Sequence, residues 1–283
     1  MRSRQTVLSL LPAVLFTTGM IGLPVVFLFV LGFFKIERGN FTAVPTTDAY
    51  ASIFKDPFYL EMFFRSLWIA LFVTFLCLLI GYPIAYLFYR AKGRWKGAIL
   101  LIVLAPLLTS TLVRTFGWMV LLGREGALNS ALLWLHAIDH PVVFLFTIKG
   151  VLIGMTQVLL PYMVLPLMAA LETVSPVLEE AATNLGASSW QTFWRVIVPQ
   201  TLPGIAGGVS LVFILAFSEF PVPALLGGST FKMIPVYLYQ TMATLLDWSR
   251  GAALASVLLI GSGLVLYLIQ RLFRGMTPWT SAS

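Results

Sequence analysis

The apolar residues of this chain fall into six long runs, at about 7–34, 66–89, 97–122, 144–171, 202–226 and 251–273, with the charged residues standing between them. A bilayer's hydrocarbon core is ~30 Å thick and takes about 20 residues of α-helix to cross. No water is present there to satisfy a loose N–H or C=O, so a run of this length has to pair its backbone internally as helix. The pattern predicts an all-α integral membrane protein with six transmembrane helices. Composition excludes the soluble alternative: 59% of the 283 residues are hydrophobic and 10% charged, against roughly 25% charged in a soluble domain.

The first run follows Arg2 and Arg4, as the apolar core of a signal peptide would. It is too long for that role, and no small-residue cleavage pattern closes it before Lys35, Glu37 and Arg38, so it is expected to remain as a spanning helix. Between the second and third runs Arg90, Lys92, Arg94 and Lys96 stand without an acid, which marks that loop as cytoplasmic. Alternation then places both termini inside, segments 35–65, 123–143 and 227–250 outside, and the connection 172–201 inside. The net charge of +7 follows from bases gathered at the ends of apolar runs, where they meet lipid head groups, and does not imply nucleic acid. The single cysteine, Cys77, lies within an apolar run; it has no disulfide partner and reads as a small core residue. The tail from Thr277 to Ser283 is expected to fray.

The connection 172–201 carries more signal than a linker needs. Ser175 suits an N-cap, Pro176 the first helical position, and Gly186 the left-handed residue after a helix end. Ser188 and Gln191 have capping-box spacing for a second helix, which Pro199 is expected to stop. On that helix Trp190, Phe193, Trp194 and Ile197 recur at i, i+3, i+4 and i+7, one apolar stripe that requires a partner. Spacing alone leaves open whether the pair lies in the head-group layer or packs on the ends of the bundle. It carries Glu179 and Glu180 with Arg195 as its one base, the wrong charge for a DNA-reading helix-turn-helix.

Two ionisable residues fall inside apolar runs, where charge is costly: Arg114 and Glu219. Counted along straight helices at 1.5 Å per residue, each lies ~25 Å from the cytoplasmic start of its span, and the two are expected at similar depth. They are candidates for the pathway or an outer gate, with Gln157, Tyr162 and Ser218 as further polar candidates; a structural salt bridge or snorkelling is the plainer alternative. Pro161, Pro166, Pro221 and Pro223 predict kinks or broken helix ends, and Gly204 with Gly208 forms a small-xxx-small pair for close helix packing. His136, Asp139 and His140 have a spacing that could hold a metal on a helix, but Pro141 follows at once and an exposed loop or docking surface is the simpler account.

Glu180-Ala181-Ala182, then Gly186, Val196 and Pro199 resemble the EAA signature of binding-protein-dependent ABC importer permeases, with the family's Ile and Leu replaced by Val196 and Val198. The resemblance implies a type I, MetI-like permease fold forming a single transmembrane domain over 1–283, with 172–201 as a cytoplasmic coupling loop. It also implies that Glu180, Ala181, Ala182, Gly186 and Pro199 couple the chain to an ATPase. Gly81-Tyr82-Pro83, Thr109-Ser110, Leu112-Val113-Arg114, Pro223 to Gly228, Asp247-Trp248 and Gly251 to Ala253 are similar to the spermidine/putrescine-type permeases. Relatives importing ferric iron, phosphonates or opines share much of this. The partners implied are two copies of a cytoplasmic ATP-binding subunit, a second, related permease, and a periplasmic or lipoprotein binding protein, in a bacterial inner membrane. No G-x-x-x-x-G-K-[ST] occurs, so ATP and Mg would be bound by the partner ATPase; the chain is expected to hold no cofactor or metal and to be no enzyme. An ion-coupled secondary transporter or channel is the alternative of a different class. It would need intramembrane acids, of which Glu219 is the clear one.

Overall fold

The computed structural model describes residues 2–37, 40–228 and 231–275; the tail expected to fray lies outside them. The chain is helical over most of its length: α1 (Arg2–Leu31), α2 (Asp48–Lys55), α3 (Pro57–Arg90), α4 (Arg94–Leu104), α5 (Thr111–Leu121), α6 (Ala127–Trp134), α7 (Ile148–Glu172), α8 (Pro176–Asn184), α9 (Ser189–Thr192), α10 (Val198–Ser218), α11 (Pro221–Leu226), α12 (Ile234–Ala243) and α13 (Trp248–Arg274). One departure from an all-α chain is a small antiparallel hairpin, β1 (Phe34–Glu37) with β2 (Asn40–Pro45).

Among the described residues, four helices are long and apolar enough to cross a bilayer on their own: Pro57–Arg90, Ile148–Glu172, Ser189–Ser218 and Trp248–Arg274. The third apolar run is not the straight crossing that its composition predicts. It breaks into Arg94–Leu108 and Thr111–Leu121, bent by 100°. Pro106 sits in a 3₁₀ turn over Ala105–Leu108, and both the amide and the hydroxyl of Thr109 turn back onto the Pro106 carbonyl (3.3 and 2.9 Å). Thr109 (φ −109°, ψ 145°) and Ser110 (φ −58°, ψ 135°) are both extended, and two consecutive extended residues redirect a helix axis. The depth reckoned for Arg114 along a straight helix therefore does not apply. A count of six spans requires this bent pair to be one span and α1, whose apolar stretch is Phe16–Leu31, to be another.

A second correction concerns Pro199, which does not stop the helix begun at Ser188. The chain runs on as one helix from Ser189 to Ser218. The accommodation is a π turn over Phe193–Ile197, closed by the Val198 amide on the Phe193 carbonyl. A proline in an α-helix collides with the carbonyl four residues back and offers that carbonyl no N–H. The widened turn relieves both faults and leaves Pro199 in the first turn of α10, where its N–H is not needed.

Close contacts cluster into two units. In the unit made of 1–62 and 237–261, Ala49, Ile53, Tyr59, Ala253 and Leu254 are buried together, with Tyr50, Tyr237, Leu238 and Val257 packed around them. The Tyr50 hydroxyl donates to the Phe29 carbonyl (3.0 Å) and to Ser256 Oγ (3.2 Å). In the unit made of 63–236 and 262–283, α7 and α10 pack along much of their length. The small-xxx-small reading holds there as intramolecular packing. A Cβ on Gly204 would run into the Ala170 side chain and the Pro166 carbonyl, and one on Gly208 into Met163, so these positions set how closely the two helices approach. α7 runs unbroken through Pro161 and Pro166, whereas the chain does break at Glu219–Phe220 before Pro221 begins α11. Cys77 is buried, its Sγ facing the Thr156 carbonyl at 3.6 Å.

The connection from α5 to α7 is an ordered cap rather than a loose loop. Asn129 on α6 is fully buried, and its amide donates to the Gly123 and Val142 carbonyls (3.0 Å each) while its oxygen accepts from the Val142 amide (2.9 Å). His136, Asp139 and His140 are exposed on this cap. No cluster of three or more metal-ligating residues forms among the described residues.

Candidate functional site

The segment between α7 and α10 is built as its sequence indicates, with the π turn as the exception. α8 starts at Pro176, with Ser175 in the N-cap position but making no side-chain cap bond. It ends in a Schellman closure: the Gly186 amide reaches the Thr183 carbonyl (2.9 Å) and the Ala187 amide the Ala182 carbonyl (3.0 Å). Gly186 has φ +83°, the left-handed conformation this closure demands. The spacing Glu-Ala-Ala-x-x-x-Gly is thus the spacing of the closure itself, since Ala182 supplies its far carbonyl and Gly186 its left-handed residue. Two residues on, the capping box forms in full, Gln191 N–H to Ser188 Oγ (3.3 Å) and Ser188 N–H to Gln191 Oε1 (2.9 Å).

The aromatic stripe divides instead of burying as one surface. Ile197 is buried, and Phe193 meets Tyr82 and Tyr86 of α3 edge-on, ring centroids 5.6 and 5.2 Å apart. Trp190 and Trp194, 69% and 51% exposed, lean on Phe193 and on each other. Glu180 and Ala181 are exposed and Ala182 half-buried, while Val177, Leu178 and Leu185 add exposed apolar surface on α8 and its end. These exposed apolar faces have no partner among the described residues, which leaves them to the head-group layer or to another subunit.

Glu179, which sequence reasoning passed over in favour of its neighbour, faces the other way. Its side chain is 14% exposed and takes a hydrogen bond from the Tyr89 hydroxyl on Oε1 (2.5 Å) and another from Arg90 Nη2 on Oε2 (2.6 Å). Arg90 also donates through Nε to the Tyr86 hydroxyl (3.0 Å) and lies over the rings of Tyr86 and Tyr89. Lys96 pairs with Glu172 at the end of α7. Two of the four bases that looked unbalanced in sequence are therefore balanced by acids of the α7–α8 segment. That local excess of bases was the one signal from which the pairing could have been sought.

The family model for the inner membrane component of binding-protein-dependent transport systems matches residues 6–276. The chain belongs to this family. Over 229 residues it is 39% identical to the spermidine/putrescine transport system permease protein PotB of Salmonella typhimurium (strain SL1344), covering 81% of this chain and 79% of that one. Its fold is similar to a bacterial ABC transporter involved in the import of the acidic polysaccharide alginate (TM-score 0.74, 20% identity, 98% of this chain and 97% of that chain). It is similar also to the MetNI methionine ABC transporter in an inward-facing form (TM-score 0.58, 18% identity, 77% of this chain and 97% of that chain). At these identities the structural likeness is one of fold, and the fold is that of an ABC importer permease.

In this family member the pathway candidates fall out as follows. Arg114 lies on α5, beyond the bend; Nη2 reaches Thr111 Oγ1 at 3.3 Å, while Nε and Nη1 are buried without a partner. α5 packs on α11, which brings Arg114 near enough for its charge to act on the Glu219 carboxylate, and that carboxylate accepts from the Val222 amide. No direct ion pair joins Arg114 and Glu219 among the described residues, so the structural salt bridge is not what holds them. Gln157 on α7 accepts from Trp118 Nε1 at 3.0 Å, tying α5 to α7. Ser218 ends α10 with its hydroxyl donated to the Ile214 carbonyl (2.8 Å), and Tyr162 is half-buried on α7. Arg114 acts on Glu219 through charge without direct contact, Ser218 precedes Glu219 in the chain, and Tyr162 has no hydrogen bond to any of the three among the described residues.

Proposed function

We propose that this chain is the permease subunit of an ATP-driven importer for polyamines of the spermidine/putrescine class. The observation that carries the reading is α8: a short helix closed by Gly186, presenting Glu180, Ala181 and exposed apolar side chains, and joined through α9 to one unbroken helix ending at Ser218. A partner pressing on α8 acts on a rigid span. ATP and Mg are bound by two cytoplasmic ATPase subunits seated on that face, so the chain is a translocating subunit and not an enzyme. A second, related permease completes the pathway, and a binding protein delivers the solute. The basic loop 90–96 and α8 then face the cytoplasm with both termini, in a bacterial inner membrane.

The substrate class rests on the similarity to PotB. Arg114, Gln157, Tyr162, Ser218 and Glu219 are the residues proposed for the pathway, Glu219 supplying the carboxylate that suits a cationic solute. The test is ATP hydrolysis and uptake by the reconstituted complex with its binding protein, across spermidine, putrescine, ferric iron, a phosphonate and an opine. Stimulation by the two polyamines is expected; stimulation by one of the others alone would replace the substrate class and keep the machinery.

A further inference from the structure

The docking face and the Glu179 contacts occupy different sides of one helix. Successive residues on an α-helix are 100° apart, so exposed Glu180 and largely buried Glu179 point in different directions, and half-buried Ala182, one turn beyond Glu179, shares its side. Glu179 meets the last two residues of α3 through two hydrogen bonds, one of them between full charges. The other end of the segment enters α10 as continuous helix. A displacement of α8 is therefore passed to α10 through the backbone, and directly from α8 to the end of α3 through the side chains around a single carboxylate, beside the indirect packing of Phe193 on Tyr82 and Tyr86.

We propose that Glu179 is a positioning residue for coupling: with Tyr89 and Arg90 it ties α8 to α3, so that ATP-driven movement of the docked helix carries α3 as well as α10. This rests on the importer reading. Arg90 has a dual role in it, marking the cytoplasmic loop and holding the acid of the coupling helix. A bond from one carboxylate oxygen to a guanidinium and from the other to a phenol fixes direction as well as distance, which is what a tie that transmits movement requires. The Lys96–Glu172 pair is exposed on both sides; pairs of that kind contribute little, and it is not part of the proposal.

The complex with its ATPase and binding protein, in proteoliposomes, tests this with E179Q, Y89F and the exchange pair E179R/R90E. Spermidine is the probe. Uptake per ATP hydrolysed is expected to fall roughly tenfold in E179Q, a factor that corresponds to ~1.4 kcal/mol, and less in Y89F. The ATPase is expected to stay bound, because Glu180 and the exposed face are untouched. The exchange pair is expected to restore uptake per ATP to within about threefold of wild type, which a merely misfolded loop would not allow.

A second readout needs no substrate. The one cysteine, Cys77, is buried, so spin labels on cysteines placed at exposed Leu87 and Asn184 report the distance from α3 to α8 cleanly. A narrow distribution that does not change with nucleotide is expected in wild type, and a broad or nucleotide-dependent one in E179Q. A coupled wild type with an equally coupled E179Q and the same distance distribution would overturn the tie and leave the importer reading standing. A wild-type chain that binds no ATPase would overturn the importer reading itself.

Discussion

The α8–α9 segment and the third apolar run answer to the same local rules with opposite results. In the first, each rule names a hydrogen bond that the residue itself makes: Gly186 closes α8, and Ser188 with Gln191 opens α9. In the second, hydropathy reported that residues 97–122 avoid water and said nothing about their direction, and the chain turns by 100° within them. Signals that specify a bond survive into the fold, whereas signals that specify an environment leave the geometry to the neighbours.

The largest effect is expected where the bond-specifying signal is strictest. A Cβ on Gly186 would meet nothing within 4 Å, so only its φ of +83° resists substitution. Gly186→Val places a β-branched residue in the left-handed region at a cost of about 2 kcal/mol, roughly thirtyfold against the docking-ready conformation. Uptake should collapse while the ATPase, freed of its load, continues to hydrolyse ATP; Gly186→Ala should do the same more weakly. Normal uptake and normal stimulated hydrolysis in the valine variant would show that the closure is not needed for coupling.

Arg114 tests the other side of the comparison. Its Nε and Nη1 are buried without partners, and a buried donor left unpaired costs about 1–3 kcal/mol. A residue kept for stability would not be held so. Arg114→Met is expected to raise the Tm of the complex by roughly two degrees and to lower uptake about tenfold. Glu219→Gln should lower uptake of a cationic solute by a smaller factor without loss of assembly. A rise in Tm with unchanged uptake would remove Arg114 from the pathway.

How far the sequence could be read follows the same division. The runs that became α3, α7, α10 and α13 were legible because length and hydropathy suffice for a straight helix, and Gly204 and Gly208 were legible because a missing side chain permits close approach whatever the partner. The hairpin 34–45, the Asn129 cap and the π turn were not, since each depends on atoms distant in sequence or on a backbone repair that no residue type announces. Glu179 is the instructive miss. Its partner Arg90 is 89 positions away, and the resemblance drew attention to Glu180, one residue along and on the exposed side of the same helix.

Ser188 offers a finer check on the legible region. Ser188→Ala removes the acceptor of the Gln191 amide, a loss of ~1 kcal/mol for a cap. That amide should exchange with solvent about fivefold faster, with little change in uptake because the π turn and Ile197 still seat the helix. An unchanged exchange rate would mean that tertiary packing, and not the cap, holds α9 in place.

The smallest effect is expected at Pro106, and it decides whether the comparison is sound. If the bend were written locally, Pro106→Ala would let 94–121 straighten, and labels on exposed Leu101 and Val120 would move to ~28 Å apart, 19 residues at 1.5 Å each. Yet the turn does not depend on the proline ring alone. The Thr109 amide and hydroxyl both bond the carbonyl of residue 106, which alanine retains, Trp118 remains bonded to Gln157, and α5 remains packed on α11. These contacts outweigh the helix propensity recovered by one alanine, because they use the carbonyl of residue 106 and groups beyond it, and a recovered N–H at 106, which would face the preceding helix, replaces none of them. Pro106→Ala should therefore keep the short distance between the labels and change stability by less than about 1 kcal/mol. A distance near that of the straight helix would place the bend's cause in residue 106 and make it, too, a feature that a sequence can announce.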